Sequence, residues 1–135
     1  MDPAADLLDR YFAMWNAPDP ATRHRLIPQV WTSDALYVDP RARALGHAEI
    51  ESMVDEVRQS APHLSFRRVG PALMHHEFVW YAWEMFGADR SVIGGGVSFA
   101  EIEDGRLRRL VGFFDREPEP DVAPRVSEHR SRPRS

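Results

Sequence analysis

Along the first half of the chain the apolar residues recur at helical spacing. Leu8, Tyr11, Phe12 and Trp15 fall at i, i+3, i+4 and i+7, one face of an amphipathic helix, so the spacing predicts a first helix over 4–16. Asp19 followed by Pro20 is a helix-start signature, with a side-chain acceptor at the N-cap and a proline in the first turn. Leu26, Ile27, Val30 and Trp31 carry the second helix's apolar face onward. Pro28 within that stretch is expected to kink the helix or end its first part, because proline lacks an N–H and clashes with the preceding turn. Leu36-Tyr37-Val38-Asp39 reads as a short strand stopped by Pro40, with a polar loop reaching to Gly46. Ile50, Met53, Val54 and Val57 then form the buried stripe of a third helix, opposite Glu49, Glu51, Asp55, Glu56 and Arg58.

From Leu64 onward the pattern changes to runs rich in Val, Phe, Trp and Tyr, broken at Gly70-Pro71, Gly87-Ala88-Asp89 and Glu103-Asp104-Gly105. These runs predict strands over 64–69, 72–75, 78–86, 92–102 and 107–115. Gly94-Gly95-Gly96 lies inside one of them, where it marks a bulge or sharp bend. As a phosphate loop it lacks both a helix start and a following Lys-Ser/Thr. Helices first and strands last, with one helix between the first strand and the rest, describe an α+β fold with a mostly antiparallel sheet. Residues 1–115 make one domain. Beyond Asp115 the chain reads Arg116-Glu117-Pro118-Glu119-Pro120 and closes with Ser, Arg and Pro, so 116–135 are expected to form a disordered tail.

Composition narrows the function classes. The 135 residues carry 21 acidic and 17 basic groups for a net charge of −4, so no strong positive field recruits nucleic acid. Every basic residue is arginine, and without lysine there is no Schiff-base chemistry. The absence of cysteine excludes disulfides and thiolate zinc sites. The N-terminus, Met1-Asp2-Pro3-Ala4-Ala5-Asp6, lacks the basic and apolar regions of a secretory signal. No apolar run approaches the about 20 residues that span a bilayer. The expectation is a cytoplasmic protein with no membrane partner. His75-His76 is the only adjacent histidine pair; neighbouring strand residues point to opposite faces, so the pair does not chelate one ion, and no metal is expected. No serine stands in a Gly-x-Ser-x-Gly context, and Arg106, Arg108 and Arg109 read as a solvated strand surface.

Asp9-Arg10-Tyr11-Phe12-Ala13-Met14-Trp15-Asn16-Ala17, Leu36-Tyr37-Val38-Asp39-Pro40 and Gly46-His47-Ala48-Glu49-Ile50 resemble the nuclear-transport-factor-2-like superfamily, in its branch of ketosteroid isomerases and SnoaL-like polyketide cyclases. The resemblance spans residues 7–115 and implies a cone-shaped half-barrel, a curved sheet wrapped around the N-terminal helices, with an apolar pocket for a small organic molecule. In ketosteroid isomerases a tyrosine of helix 1 and an Asp-Pro at the end of the first strand are catalytic, and Tyr11 and Asp39 stand at those positions. The position of the family's protonated aspartate, which donates to the enolate oxygen, is taken by Ser98, a weaker candidate oxyanion donor. Losing one such donor costs about 3 to 4 kcal/mol of transition-state stabilisation, which counts against steroid isomerisation itself. Trp83 would face the pocket, with Tyr81 and Val79 on the same side by alternation and Glu84 outward. Trp15, Leu110 and Phe114 complete the expected wall, residues that an ordinary core would use equally.

Asp39 admits two readings. Desolvated in a cavity, it is a base against a carbon acid; at the strand end, it is a turn aspartate capping its own backbone. Three functions follow. The first is a cofactor-independent enzyme that isomerises or cyclises a ketone through an enolate. The second is a non-catalytic module that binds an apolar ligand or forms a homodimer through the outer sheet face around Trp80. The third is an epoxide hydrolase of the limonene type, which needs a second carboxylate near an arginine in the pocket.

Overall fold

A computed structural model describes residues 3–126. Three helices, α1 (Pro3–Asn16), α2 (Pro20–Val30) and α3 (Gly46–Ser60), accompany six strands: β1 (Trp31–Asp39), β2 (Ala42–Leu45), β3 (Ser65–His75), β4 (Phe78–Phe86), β5 (Val92–Glu103) and β6 (Arg106–Arg116). The strands form one curved, unclosed sheet in the order β2-β1-β6-β5-β4-β3. All neighbours are antiparallel except β1 and β6, which run parallel. This is the α+β arrangement that the sequence pattern implies, with one parallel pair that no local signal announces.

The apolar stripes of α1 (Leu7, Leu8, Tyr11, Met14, Trp15) and α3 (Ile50, Met53, Val54, Val57) are buried in one core with Trp31, Val79, Tyr81, Leu107 and Leu110 of the sheet. Polar ties fix the helices. Asn16, at the end of α1, exchanges two 2.8 Å hydrogen bonds with the Phe66 backbone. Asp19 accepts from Thr22 N–H at the start of α2, as an N-cap should. The buried Arg23 of α2 donates twice to Asp55 of α3 and once to the Ala17 carbonyl.

Four boundaries differ from the sequence expectation. Helix α2 runs two residues past Pro28 and ends at Val30; the missing N–H falls in its last turn, and Trp31 N–H caps the helix on Ile27 O. Trp31 begins β1 instead of continuing the helix: it pairs with Leu107 of β6, and regular pairing resumes at Leu36 after an irregularity. The expected polar loop contains a four-residue strand, β2, whose Ala42 and Ala44 are buried. Strands 64–69 and 72–75 are one strand, β3, carried through Gly70-Pro71 by a bulge with Gly70 at φ +73°. The glycine run of β5 is a bend, with a register shift against β6 between Gly95 and Gly96. A Cβ at Gly96 would lie 1.8 Å from the Phe113 carbonyl oxygen, so β5 and β6 close there only because the position is glycine.

The expected tail divides into three parts. Arg116 ends β6, residues 117–126 lie against the domain with Pro118 and Pro124 buried, and 127–135 lie outside the described residues.

Candidate active site

Alternation along a strand sends every second side chain to the concave face, and the registers align these inward residues in cross-strand rows. The deepest row is Val79, Ala100, Leu110 and Tyr37, paired in succession across β4, β5, β6 and β1. The next is Tyr81, Ser98 and Gly112, and the parallel register that sets Val38 against Val111 brings Asp39 beside Gly112. The third is Trp83, Gly96 and Phe114. The middle and outer rows hold serine and glycine at their centres, between large side chains, so the sheet leaves a hollow there. The hollow spans about 600 Å³ of non-atom space when the open solvent at its mouth is counted, of which about 60 Å³ is open to the centre of a water-sized molecule.

Tyr11, Trp15, Tyr81, Trp83, Ser98, Phe114 and Asp39 all line this cavity. Val79 and Leu110 do not. Both are buried in the core in the deepest row, from which only Tyr37 reaches the cavity. Alternation identifies the inward face but not the depth along the strand. The cavity also holds residues that the sequence reading left out, among them Tyr37, Arg41, Phe66 and Gly112. Tyr37 was within reach, because it stands two residues before Asp39 and therefore on the same face of β1.

Asp39 fills both of its candidate positions at once. Its Oδ1 accepts the backbone N–H groups of Arg41 and Ala42 at 2.7 and 2.9 Å, capping the β1–β2 turn. Its Oδ2 accepts the Tyr37 hydroxyl at 2.5 Å inside the cavity, within the short range of a charge-assisted bond. Burial raises the Asp39 pKa above the ordinary carboxylate value, against the opposing pull of the Tyr37 hydroxyl, the two turn N–H groups and the Arg41 charge. Desolvation also raises Tyr11 and Tyr37 well above the ordinary phenol value, followed by Tyr81 as the next cause for Tyr11 and by Asp39 for Tyr37. Burial raises the Tyr81 phenol too, so the hydroxyls of Tyr11, Tyr37 and Tyr81 all stay protonated and able to donate.

Tyr81 is fully buried, and no neighbour closes a well-formed hydrogen bond with its hydroxyl. The hydroxyls of Ser98 and Tyr11 are its polar neighbours, and their hydrogen-bonding influence opposes the larger effect of burial on its proton affinity. A buried polar group without a well-formed bond is costly, and Tyr81 belongs to the lining of the cavity. A Cβ on Gly112 would sit 3.4 Å from Asp39 Cβ and 3.5 Å from Ser98 Oγ, so that missing side chain is the space between the carboxylate and the hydroxyls. Asp39 is the one carboxylate and Arg41 the one cation among the described residues lining the cavity. No cluster of three or more His, Asp or Glu suited to a metal occurs among the described residues. None of their helices is long and apolar enough to cross a membrane.

The sequence profile of the SnoaL-like domain matches residues 8–110. No curated protein matches the chain significantly. Among solved structures, a candidate isomerase of the SnoaL-like family from Agrobacterium tumefaciens is 29% identical with a TM-score of 0.81, over 85% of this chain and 99% of that one. A candidate SnoaL-like polyketide cyclase from a Jannaschia species is 13% identical (TM-score 0.69, 84% and 85% covered). A candidate ketosteroid isomerase from Kribbella flavida is 20% identical (TM-score 0.62, 94% and 92% covered). The last two share the fold.

The raised pKa of Asp39 has a consequence for stability. A carboxyl whose folded pKa exceeds its unfolded value binds more protons when folded, so its contribution weakens as pH rises from the unfolded value through the folded one. Asp39→Asn, which keeps an acceptor for the turn, should therefore be more stable than the native protein at neutral pH. That advantage should disappear below about pH 4, where the carboxyl is neutral in both states. Urea unfolding of the two proteins across this range checks it; an Asn variant less stable at neutral pH than in acid, relative to native, would contradict the assignment.

Proposed function

The chain belongs to the SnoaL-like domain family, and from that premise we propose that it is an enzyme performing acid/base chemistry on a ketone through an enolate. The observation that carries this reading is the inward row in which one desolvated carboxylate, Asp39, is separated by the Gly112 gap from Ser98 and Tyr81. In the proposed reaction Asp39 Oδ2 removes a proton from the carbon next to the carbonyl. The electron pair moves to the carbonyl oxygen, and the hydroxyls of Tyr11, Tyr81 and Ser98 donate to it. The protonated Asp39 returns the proton at another carbon, which isomerises the substrate, or the enolate carbon attacks a second carbonyl, closing a ring, and Asp39 returns its proton to the new alkoxide oxygen. Tyr37 keeps Oδ2 oriented by its hydrogen bond.

Three features support the chemistry. The walls are aromatic, with Trp83 and Phe114 edge to face at 5.4 Å and Trp15 tilted against Phe66 at 5.4 Å, so water is largely excluded and each donor acts in a low-dielectric setting. The missing oxyanion carboxylic acid at Ser98 has a counterpart in the Tyr81 hydroxyl across the same strand pair. Epoxide hydrolysis of the limonene type is disfavoured, because the described residues lining the cavity include no carboxylate besides Asp39.

A second copy of this chain is the proposed partner. On the outer sheet face Leu73, Trp80 and Phe99 are exposed and adjoin across β3, β4 and β5, while Phe78 stacks on Phe99 at 5.5 Å and Phe113 is 54% exposed. A continuous apolar face of this kind is self-complementary about a two-fold axis.

Two measurements test these proposals. Deuterium incorporation from heavy water into a panel of cyclic and polycyclic ketones, followed by NMR, should be accelerated by the native protein. Asp39→Asn should lose about 100-fold or more of that rate; no exchange above background, or an unaffected Asn variant, sinks the enolate reading. Sedimentation equilibrium should give a dimer for the native chain and a monomer for Trp80→Glu, whereas a native monomer rules out the outer face as an interface.

A further inference from the structure

Residues 117–126 lie across the mouth of the cavity, and Pro124 and Val126 form part of its lining. Arg41 holds them. Its guanidinium pairs with Glu117 at 2.8 Å and donates to the Pro124 carbonyl at 3.3 Å, while lying 5.3 Å from the Phe114 ring centroid. On the far side the Arg125 N–H donates to Ser60 Oγ at 2.8 Å. Contacts that include this ion pair and the two hydrogen bonds hold the strap at the rim of the cavity. The ion pair is open to solvent: the Glu117 side chain is 57 % exposed and the Arg41 side chain 29 %. Such pairs are weak and readily exchanged for another anion.

Arg41 also lines a shallower hollow outside the cavity, together with Glu117 and Pro124. The same side chain thus bounds the outer hollow and the inner cavity, and a molecule passing from one to the other meets its guanidinium. The planar fork of arginine suits a carboxylate, and a carboxylate occupies it now. From these contacts we infer that the ligand carries a carboxylate of its own, which takes the place of Glu117 on Arg41 and releases the strap as it enters. Joined to the reading of Asp39 as the base, on which this part rests, the substrate class is a keto acid. Its carboxylate meets Arg41 at the mouth, and its ketone reaches Tyr81, Tyr11 and Ser98 within.

Calorimetric titration of the full chain with 2-naphthoate and with its neutral isostere 2-naphthamide tests the inference without any turnover. Naphthoate should bind about tenfold more tightly. Arg41→Gln should abolish the preference, and Glu117→Gln, which removes the competing carboxylate, should tighten naphthoate binding about threefold or more while leaving naphthamide nearly unchanged. Bound naphthoate should also speed amide hydrogen exchange in 117–126. Equal binding of the two probes, binding of neither, or an identical naphthoate affinity in Glu117→Gln overturns the inference. The enolate reading fails separately: a protein that prefers naphthoate and responds to Glu117→Gln, yet exchanges no ketone, keeps the anion site and loses Asp39 as a base.

Discussion

Strand β6 runs between β5 on one side and β1 on the other, antiparallel to the first and parallel to the second. These two registers decide what the concave face contains. They set Gly112 opposite Ser98 and bring Asp39 next to it, so a position without a side chain separates a carboxylate from a hydroxyl. A slip of one residue on either side would turn the inward set outward and fill the gap with Val111 or Phe113. The cavity is thus a consequence of pairing: it exists where serine and glycine occupy the middle of rows whose ends are Tyr81, Trp83 and Phe114.

The same geometry explains how a carboxylate is kept in an apolar hollow. Asp39 divides its two oxygens between different tasks, Oδ1 closing the β1–β2 turn through two backbone N–H groups and Oδ2 holding the Tyr37 hydroxyl. The turn bonds anchor the side chain so that it cannot swing away to water, and burial raises its proton affinity. The structural and chemical readings of this residue are therefore one arrangement. Strain of this kind, a desolvated charge held by local bonds, is the usual cost of a functional site in an otherwise consistent fold.

Much of this was legible in the chain. The 3.6-residue stripes of α1 and α3 and the period-two runs of β4 and β6 each follow from burying one face, and the Asp19-Pro20 pair marks the start of α2 because its chemistry is local. Tyr11, Asp39 and Ser98 could be singled out only through resemblance, since nothing in their spacing announces that three distant segments share a cavity. For Val79 and Leu110 alternation identifies the inward face and carries no information about depth. Ala42–Leu45 gave no strand signal, as its four residues pair only by virtue of the Asp39-capped turn. The stretch 117–126 reads as unstructured from its prolines and charges, yet Pro118 and Pro124 bury themselves against the domain; the groove that receives them is made by residues far away in sequence.

The account stands on Asp39 being a carboxylate with raised proton affinity, coupled to Tyr37 within the cavity. The direct measurement is a carbon-13 NMR titration of the Asp39 carboxyl, with the Tyr37 ring carbon bearing the hydroxyl followed in parallel. The account predicts a midpoint above the ordinary aspartate value of about 3.9, with the Tyr37 signal moving through the same transition. A midpoint at or below that value, with Tyr37 silent, would mean that the carboxylate is solvated, and would contradict the account.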